Sequence, residues 1–140
     1  MNVYVIGSLR NPYVQHVAAA LRAAGHTAYD DWASPGPEAD DRWQEYERQR
    51  GRTYAEALSG WHATHVFNND VYHLDRCDAA VLVMPAGKSA HLELGYVVGL
   101  GKPGYILLTD EPDRYDVMSR FCLKTGGGVY YDLDSLIAAL

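Results

Sequence analysis

Glu93 has the widest chemistry open to it of any side chain in this sequence. It follows an apolar run at residues 79–84 and a glycine-containing loop at 85–89, which places it in the first turn of a helix over 91–100. A glutamate there has an ordinary role, because its charge complements the positive end of the helix dipole. It is not half of a capping box, since the residue three after Ser89 is Leu92. Tyr4, on a first strand over residues 2–6, is placed to hydrogen-bond the carboxylate, and Gly95 is expected to permit close packing beneath it. A carboxylate held in that way can attack an anomeric carbon and form a covalent glycosyl intermediate.

Two loops that precede helices can hold an anion: Gly7-Ser8-Leu9-Arg10-Asn11 and Gly87-Lys88-Ser89-Ala90-His91. Amides at a helix N-terminus, hydroxyls and a guanidinium suit a phosphate, while simple helix capping is the alternative role for Ser8 and Ser89. Neither loop has the dinucleotide fingerprint or the P-loop pattern. Asp70, in Phe67-Asn68-Asn69-Asp70, reads by itself as a helix-surface aspartate. His62, His65 and His73 match no standard zinc spacing, so no metal is expected and no cofactor motif is present. No Ser-His-Asp arrangement can be argued from spacing.

The elements that must position these residues alternate between strand and helix. Strands are expected at residues 2–6, 26–29, 79–84, 104–108 and 129–131, and helices from Asn11-Pro12 to Gly25, over 40–58, 61–74, 91–100 and 135–140. Alternation implies parallel strands with right-handed crossovers. The expected fold is α/β, a single doubly wound domain over residues 1–140 with a flavodoxin-like five-stranded parallel sheet in the order 2-1-3-4-5. Ligands in such sheets bind beyond the carboxyl ends of the strands, at the switch between strands 1 and 3. That rule selects residues 7–11, 30–32, 85–93 and 109–111.

Composition narrows the partners. A net charge of −6 argues against a polynucleotide, which a basic surface would track, but leaves room for a small anion. No apolar run approaches the roughly 20 residues of a membrane helix, and the first seven residues lack the basic flank of a secretory signal. Cys77 and Cys122 make no close pair, so reduced thiols and a cytoplasmic location are expected. Several of the 11 tyrosines and 3 tryptophans fall between Tyr29 and Tyr72, where flat side chains suit either core packing or a flat ligand.

At these residues the chain resembles the nucleoside 2-deoxyribosyltransferase family. The likeness rests on Val3-Tyr4-Val5-Ile6-Gly7, on Asn68-Asn69-Asp70 with Asp78, and on Glu93-Leu94-Gly95-Tyr96 followed by Gly101-Lys102-Pro103, and it spans roughly the first hundred residues. The resemblance implies a flavodoxin-like fold, a nucleophile at Glu93, an orienting tyrosine at Tyr4 and an aspartate at Asp70 that handles the base. It also implies a homodimer or larger homo-oligomer whose sites borrow residues from a neighbour. The loop before the nucleophile usually carries acids in that family and has none here, so the proton for the departing base falls to His91 or Asp70. The basic, hydroxyl-bearing loop is closer to related deoxynucleoside 5'-phosphate N-hydrolases, for which Ser8, Arg10 and Ser89 match the phosphate-holding residues.

The expected activity is cleavage of the N-glycosidic bond of a nucleoside or its 5'-monophosphate through a glutamyl-glycosyl intermediate, with transfer to a base or to water. Glu93, Tyr4 and Asp70 are the catalytic candidates. Gly7, Ser8, Arg10, Trp32, Ser89 and His91 are the substrate-binding candidates, with Trp43 and Tyr46 as further aromatics for the base. Two rivals stand beside it: a nucleotide-binding sensor without turnover, and a hydrolase of a larger ribonucleotide such as a dinucleotide cofactor.

Overall fold

Successive side chains of a strand point to opposite faces of its sheet, and the first strand divides its residues accordingly. In the computed structural model, which describes residues 1–140, β1 (Asn2–Ile6) sends Val3 and Val5 to one face and Tyr4 and Ile6 to the other. β3 (Ala79–Val83) does the same with Ala79, Val81 and Val83 against Ala80 and Leu82. All five of its residues are apolar and buried, so the run carries no polar alternation.

The strands form one five-stranded parallel sheet in the order β2-β1-β3-β4-β5, with β2 at Thr27–Tyr29, β4 at Gly104–Leu107 and β5 at Gly128–Tyr130. α1 (Tyr13–Ala23) packs Val14, Val17, Ala18 and Leu21 on the Val3 face, where Leu136 of α7 (Leu133–Ala139) joins them. The Tyr4 face is covered by Leu74 of α4 (Trp61–Arg76), by Ala90, Leu94 and Val97 of α5 (Lys88–Gly99), and by Cys122 of α6 (Arg120–Lys124). Tyr4 therefore lies on the side that carries α4 and α5. Gly7 ends β1 without a side chain because a Cβ there would collide with Cγ2 of Val14, the first buried residue of α1.

Helix boundaries depart from expectation in three places. The stretch 40–58 is two helices, α2 (Ala39–Gln49) and α3 (Tyr54–Leu58). Gly51 breaks it at a φ of 67°, and Thr53 with Glu56 forms a capping box that restarts it. α5 begins at Lys88 rather than 91, so Glu93 belongs to its second turn. α6 is five residues long, too short to show a helical period in the sequence. α1 opens at Tyr13 with Pro12 in the cap position and no side-chain cap bond, and the Asn11 side chain instead accepts the Tyr13 amide at 3.1 Å in the turn just before it. No helix is long and apolar enough to cross a membrane.

Candidate active site

Tyr4, Asp70 and Glu93 come from β1, α4 and α5 and meet on one face of the sheet, beside the β1–β3 boundary where the crossover direction reverses. Tyr4 is fully buried and its hydroxyl has no hydrogen-bond partner on the chain. Burial first, and then the negative charges of Glu93 and Asp70, push its ionisation far above the ordinary tyrosine range. The phenol is therefore protonated at any working pH, a donor facing two carboxylates. The expected Tyr4–Glu93 hydrogen bond is not formed in this arrangement.

Burial pushes the Glu93 carboxyl up to about 7, and the charge of Asp70 adds to that shift. Position in the second helical turn also removes the ordinary explanation for this residue, because the dipole effect falls off within the first turn. A carboxyl displaced upward by burial and a neighbouring carboxylate at a sheet switch point is the kind of group that functional sites hold. Asp70 is likewise raised by burial, opposed by the Asn69 amide and by His73. Two carboxyls in one site thus both favour their protonated forms more than free side chains do.

Beside them stands an aromatic group that sequence alone does not reveal. Tyr29, at the end of β2, stacks on His73 with ring centroids 3.6 Å apart and lies 5.2 Å from the Tyr4 ring. Asn69 donates to the Tyr29 hydroxyl at 3.0 Å. Tyr29 and Asn69 are 40 residues apart, so only the pairing of β2 with β1 brings them together. The nearest signal was the Asn68-Asn69-Asp70 run, which marks α4 but not its partner.

The anion-binding candidates are distributed less simply. Ser8 Oγ accepts the Arg10 amide at 3.2 Å, a turn contact, and Asn11 reaches the Pro85 carbonyl at 3.3 Å, tying the first loop to the second. Arg10 is exposed and ion-paired with Asp41 of α2 at 2.6 Å, so it is not a free guanidinium aimed into the cleft. Ser8, Arg10 and Asn11 with Ala33, Gly36 and Pro37 border a cavity of about 390 Å³. Ser89 is exposed in the first turn of α5. His91 is also exposed, its Nδ1–H donating to the Gly87 carbonyl at 2.7 Å. Trp32 donates Nε1–H to the Val5 carbonyl at 2.7 Å, which anchors it to β1. Gly95 is exposed, and a Cβ there would meet nothing within 4 Å, so it makes no close packing within the chain.

Solved structures that share this architecture include the following three. A 2-deoxyribosyltransferase from the psychrotolerant bacterium Bacillus psychrosaccharolyticus is 19% identical, covers 98% of this chain and 90% of its own, and superposes with a TM-score of 0.64. A conserved protein from Enterococcus faecalis V583 is 12% identical over 99% of this chain and 96% of its own, with a TM-score of 0.67. A CMP N-glycosidase from Clostridium botulinum is 12% identical over 99% and 96%, with a TM-score of 0.59. This chain shares their fold. No family model matches its sequence, and no curated protein matches it by sequence.

Proposed function

We propose that the chain cleaves the N-glycosidic bond of a nucleoside or nucleotide, in the manner of the nucleoside 2-deoxyribosyltransferase family, with Glu93 as nucleophile. The observation that carries this reading is the raised Glu93 carboxyl facing Asp70 and the unpartnered Tyr4 hydroxyl at the sheet switch point. The fold shared with a 2-deoxyribosyltransferase and a CMP N-glycosidase supports it.

The ionised Glu93 oxygen attacks C1' of the sugar as the C1'–N bond breaks, and the bond's electron pair leaves on the base. Asp70 supplies the proton to the departing nitrogen. It is the acid that faces the site, whereas His91 is turned toward the Gly87 carbonyl. Tyr4 donates its hydrogen bond to the Glu93 carboxylate as a ligand closes the site and desolvates it. A second base, or water, then attacks C1' and releases the Glu93 carboxylate, and Asp70 takes up the proton of the incoming nucleophile. The Tyr29–His73 stack flanks the base, and Ser8, Arg10 and Ser89 meet the 5' end, Arg10 by exchanging Asp41 for a phosphate.

Assembly belongs to the same proposal. Leu92, Gly95, Tyr96, Gly99 and Leu100 recur at helical spacing along one exposed side of α5, with Leu92 77% exposed. A second copy of the chain covers this stripe and completes the cleft.

The test is to incubate the protein with deoxynucleosides and deoxynucleoside monophosphates, with and without an added free base, and to follow base release or exchange. Activity is expected in the native chain and absent in Glu93→Ala. Turnover that survives Glu93→Ala unchanged removes the nucleophile, and tight nucleotide binding without any base release makes the chain a sensor.

A further inference from the structure

A second aromatic cavity, of about 420 Å³, lies away from the Glu93 site and plays no part in the mechanism above. Ala39, Arg42, Trp43 and Tyr46 line it from α2 at i, i+3, i+4 and i+7, and Trp61 and His62 line it from the first turn of α4. Its size is that of a small-molecule site. Trp43 stacks on His62 with ring centroids 6.0 Å apart, and Trp61 is 79% exposed although it is among the largest apolar side chains.

The charges of the cavity are unevenly matched. Glu47 is buried and ion-paired with Arg52, so that pair is internally neutral. Arg42 has no carboxylate partner and spends one donor on the Pro35 carbonyl at 2.7 Å. A guanidinium has five N–H donors, so most of its capacity is open to an anion. Arg50 covers one face of the Tyr46 ring at 3.7 Å and His65 stacks on Trp61 at 5.2 Å, so each ring keeps its other face, and those faces beside the unpaired Arg42 guanidinium suit a planar ring attached to a phosphate.

Two independent connections join this cavity to the Glu93 site. His62 lies on the same stripe of α4 as Asn69 and His73, at i, i+7 and i+11, so one helix face runs from the cavity to the Tyr29 stack. Eight residues separate His62 from Asp70, a rise of about 12 Å. The loop after Ala33 supplies the other connection. Pro35 borders the aromatic cavity, Gly36 and Pro37 border the cavity of Ser8, Arg10 and Asn11, and Arg10 is paired with Asp41, the neighbour of Arg42.

We infer that this cavity is a subsite for the second ring of a dinucleotide-class ligand. One nucleoside sits at Glu93, the bridging phosphates lie between Arg10 and Arg42, and the distal ring lies among Trp43, Tyr46, Trp61 and His62. The placement of the first nucleoside rests on the glycosidic reading; the ring subsite rests on the cavity.

Binding is measured in Glu93→Gln, which prevents turnover, by tryptophan fluorescence with AMP, diadenosine 5',5'-diphosphate and NAD as probes. At least one dinucleotide is expected to bind more tightly than AMP by roughly tenfold to a hundredfold, the range of one stacked base. Trp61→Ala, a change at an exposed position that folding tolerates, is expected to remove that advantage and leave AMP binding unchanged. Arg42→Ala is expected to weaken both dinucleotides. Equal binding of all three probes, or an advantage untouched by Trp61→Ala, overturns the subsite. So does a Trp61 emission that shifts on dilution without ligand, since a second copy of the chain then fills the cavity. Base release from monophosphates in the native chain separates the two ideas. If it occurs and Trp61 is indifferent, the subsite falls and the glycosidic reading stands. If no compound loses its base but Trp61 still governs dinucleotide affinity, the glycosidic reading falls and the subsite stands.

Discussion

The Glu93 carboxyl has to lose its proton before it attacks, and burial places that loss at about pH 7. Base release is therefore expected to climb with pH as Glu93 ionises and to fall again as Asp70 loses the proton that the departing base needs, a bell rather than a plateau. A pH–rate profile with a flat acid limb down to pH 5 contradicts a Glu93 nucleophile. The same shift has a cost in stability. A carboxyl whose pKa is raised by folding binds its proton more tightly in the folded chain than in the unfolded one. Stability from this group is thus full below the unfolded value of 4.5, falls as the pH rises toward 7, and is constant beyond. The fall amounts to about 3 kcal/mol. Glu93→Gln carries no charge at any pH, so it should match the native chain near pH 5 and exceed it at pH 8 in urea unfolding. Equal stability at both pH values would mean that Glu93 is better solvated than its position implies. Tyr4→Phe probes the neighbouring group. Its hydroxyl is buried and unpartnered, so its removal is expected to leave the unfolding midpoint unchanged or higher while slowing base release. Unaltered turnover in Tyr4→Phe reduces that tyrosine to core packing.

At the scale of elements, α5 shows how far sequence could be read and where it stopped. The sheet was legible because β1 and β3 are unbroken apolar runs that only a doubly covered strand explains. The start of α5 was not, because Lys88, Ser89 and Ala90 read equally well as loop, and those three residues decide whether Glu93 lies in the first turn or the second. The Glu93–Tyr4–Asp70 grouping was legible through the resemblance of three separated motifs. The Tyr29–Asn69–His73 group was not, since it depends on contacts across 40 residues that no local pattern records. Nor was the Arg10–Asp41 pair, which ties the first loop to a helix whose face cannot be assigned from a nearly all-polar sequence. Gly95 carries the element-scale prediction. Glycine in a helix interior costs about 1 kcal/mol relative to alanine, and a Cβ at 95 has open space in the isolated chain. Gly95→Ala is expected to stabilise the dilute chain by about that amount and to weaken self-association, because the added methyl occupies the surface where a second copy lies. Sedimentation with thermal unfolding reads both effects. Stabilisation with unaltered association means that the α5 stripe is not the covered surface.

The whole molecule leaves a large part of its apolar surface uncovered on the side that carries Glu93. Phe67 of α4 is 66% exposed and Leu92 of α5 is 77% exposed, while the Val3 face of the sheet is closed by α1 and α7. Scattered exposed apolar residues are common on soluble proteins, but a helical stripe beside an open cleft is a surface made to be covered. The cleft itself is not closed by the single chain: Glu93 is half-buried there. A catalytic carboxyl gains from exclusion of water, and a neighbouring copy over α5 provides that exclusion where the single chain does not. Leu92→Glu tests assembly and catalysis together. The position is exposed, so the fold should persist with an unchanged far-ultraviolet spectrum, while a charge at the centre of the contact shifts the chain to monomer in light scattering. Base release is expected to fall by at least tenfold with dissociation and to recover in part as protein concentration rises. A monomeric Leu92→Glu with full activity would establish that one chain holds a complete site.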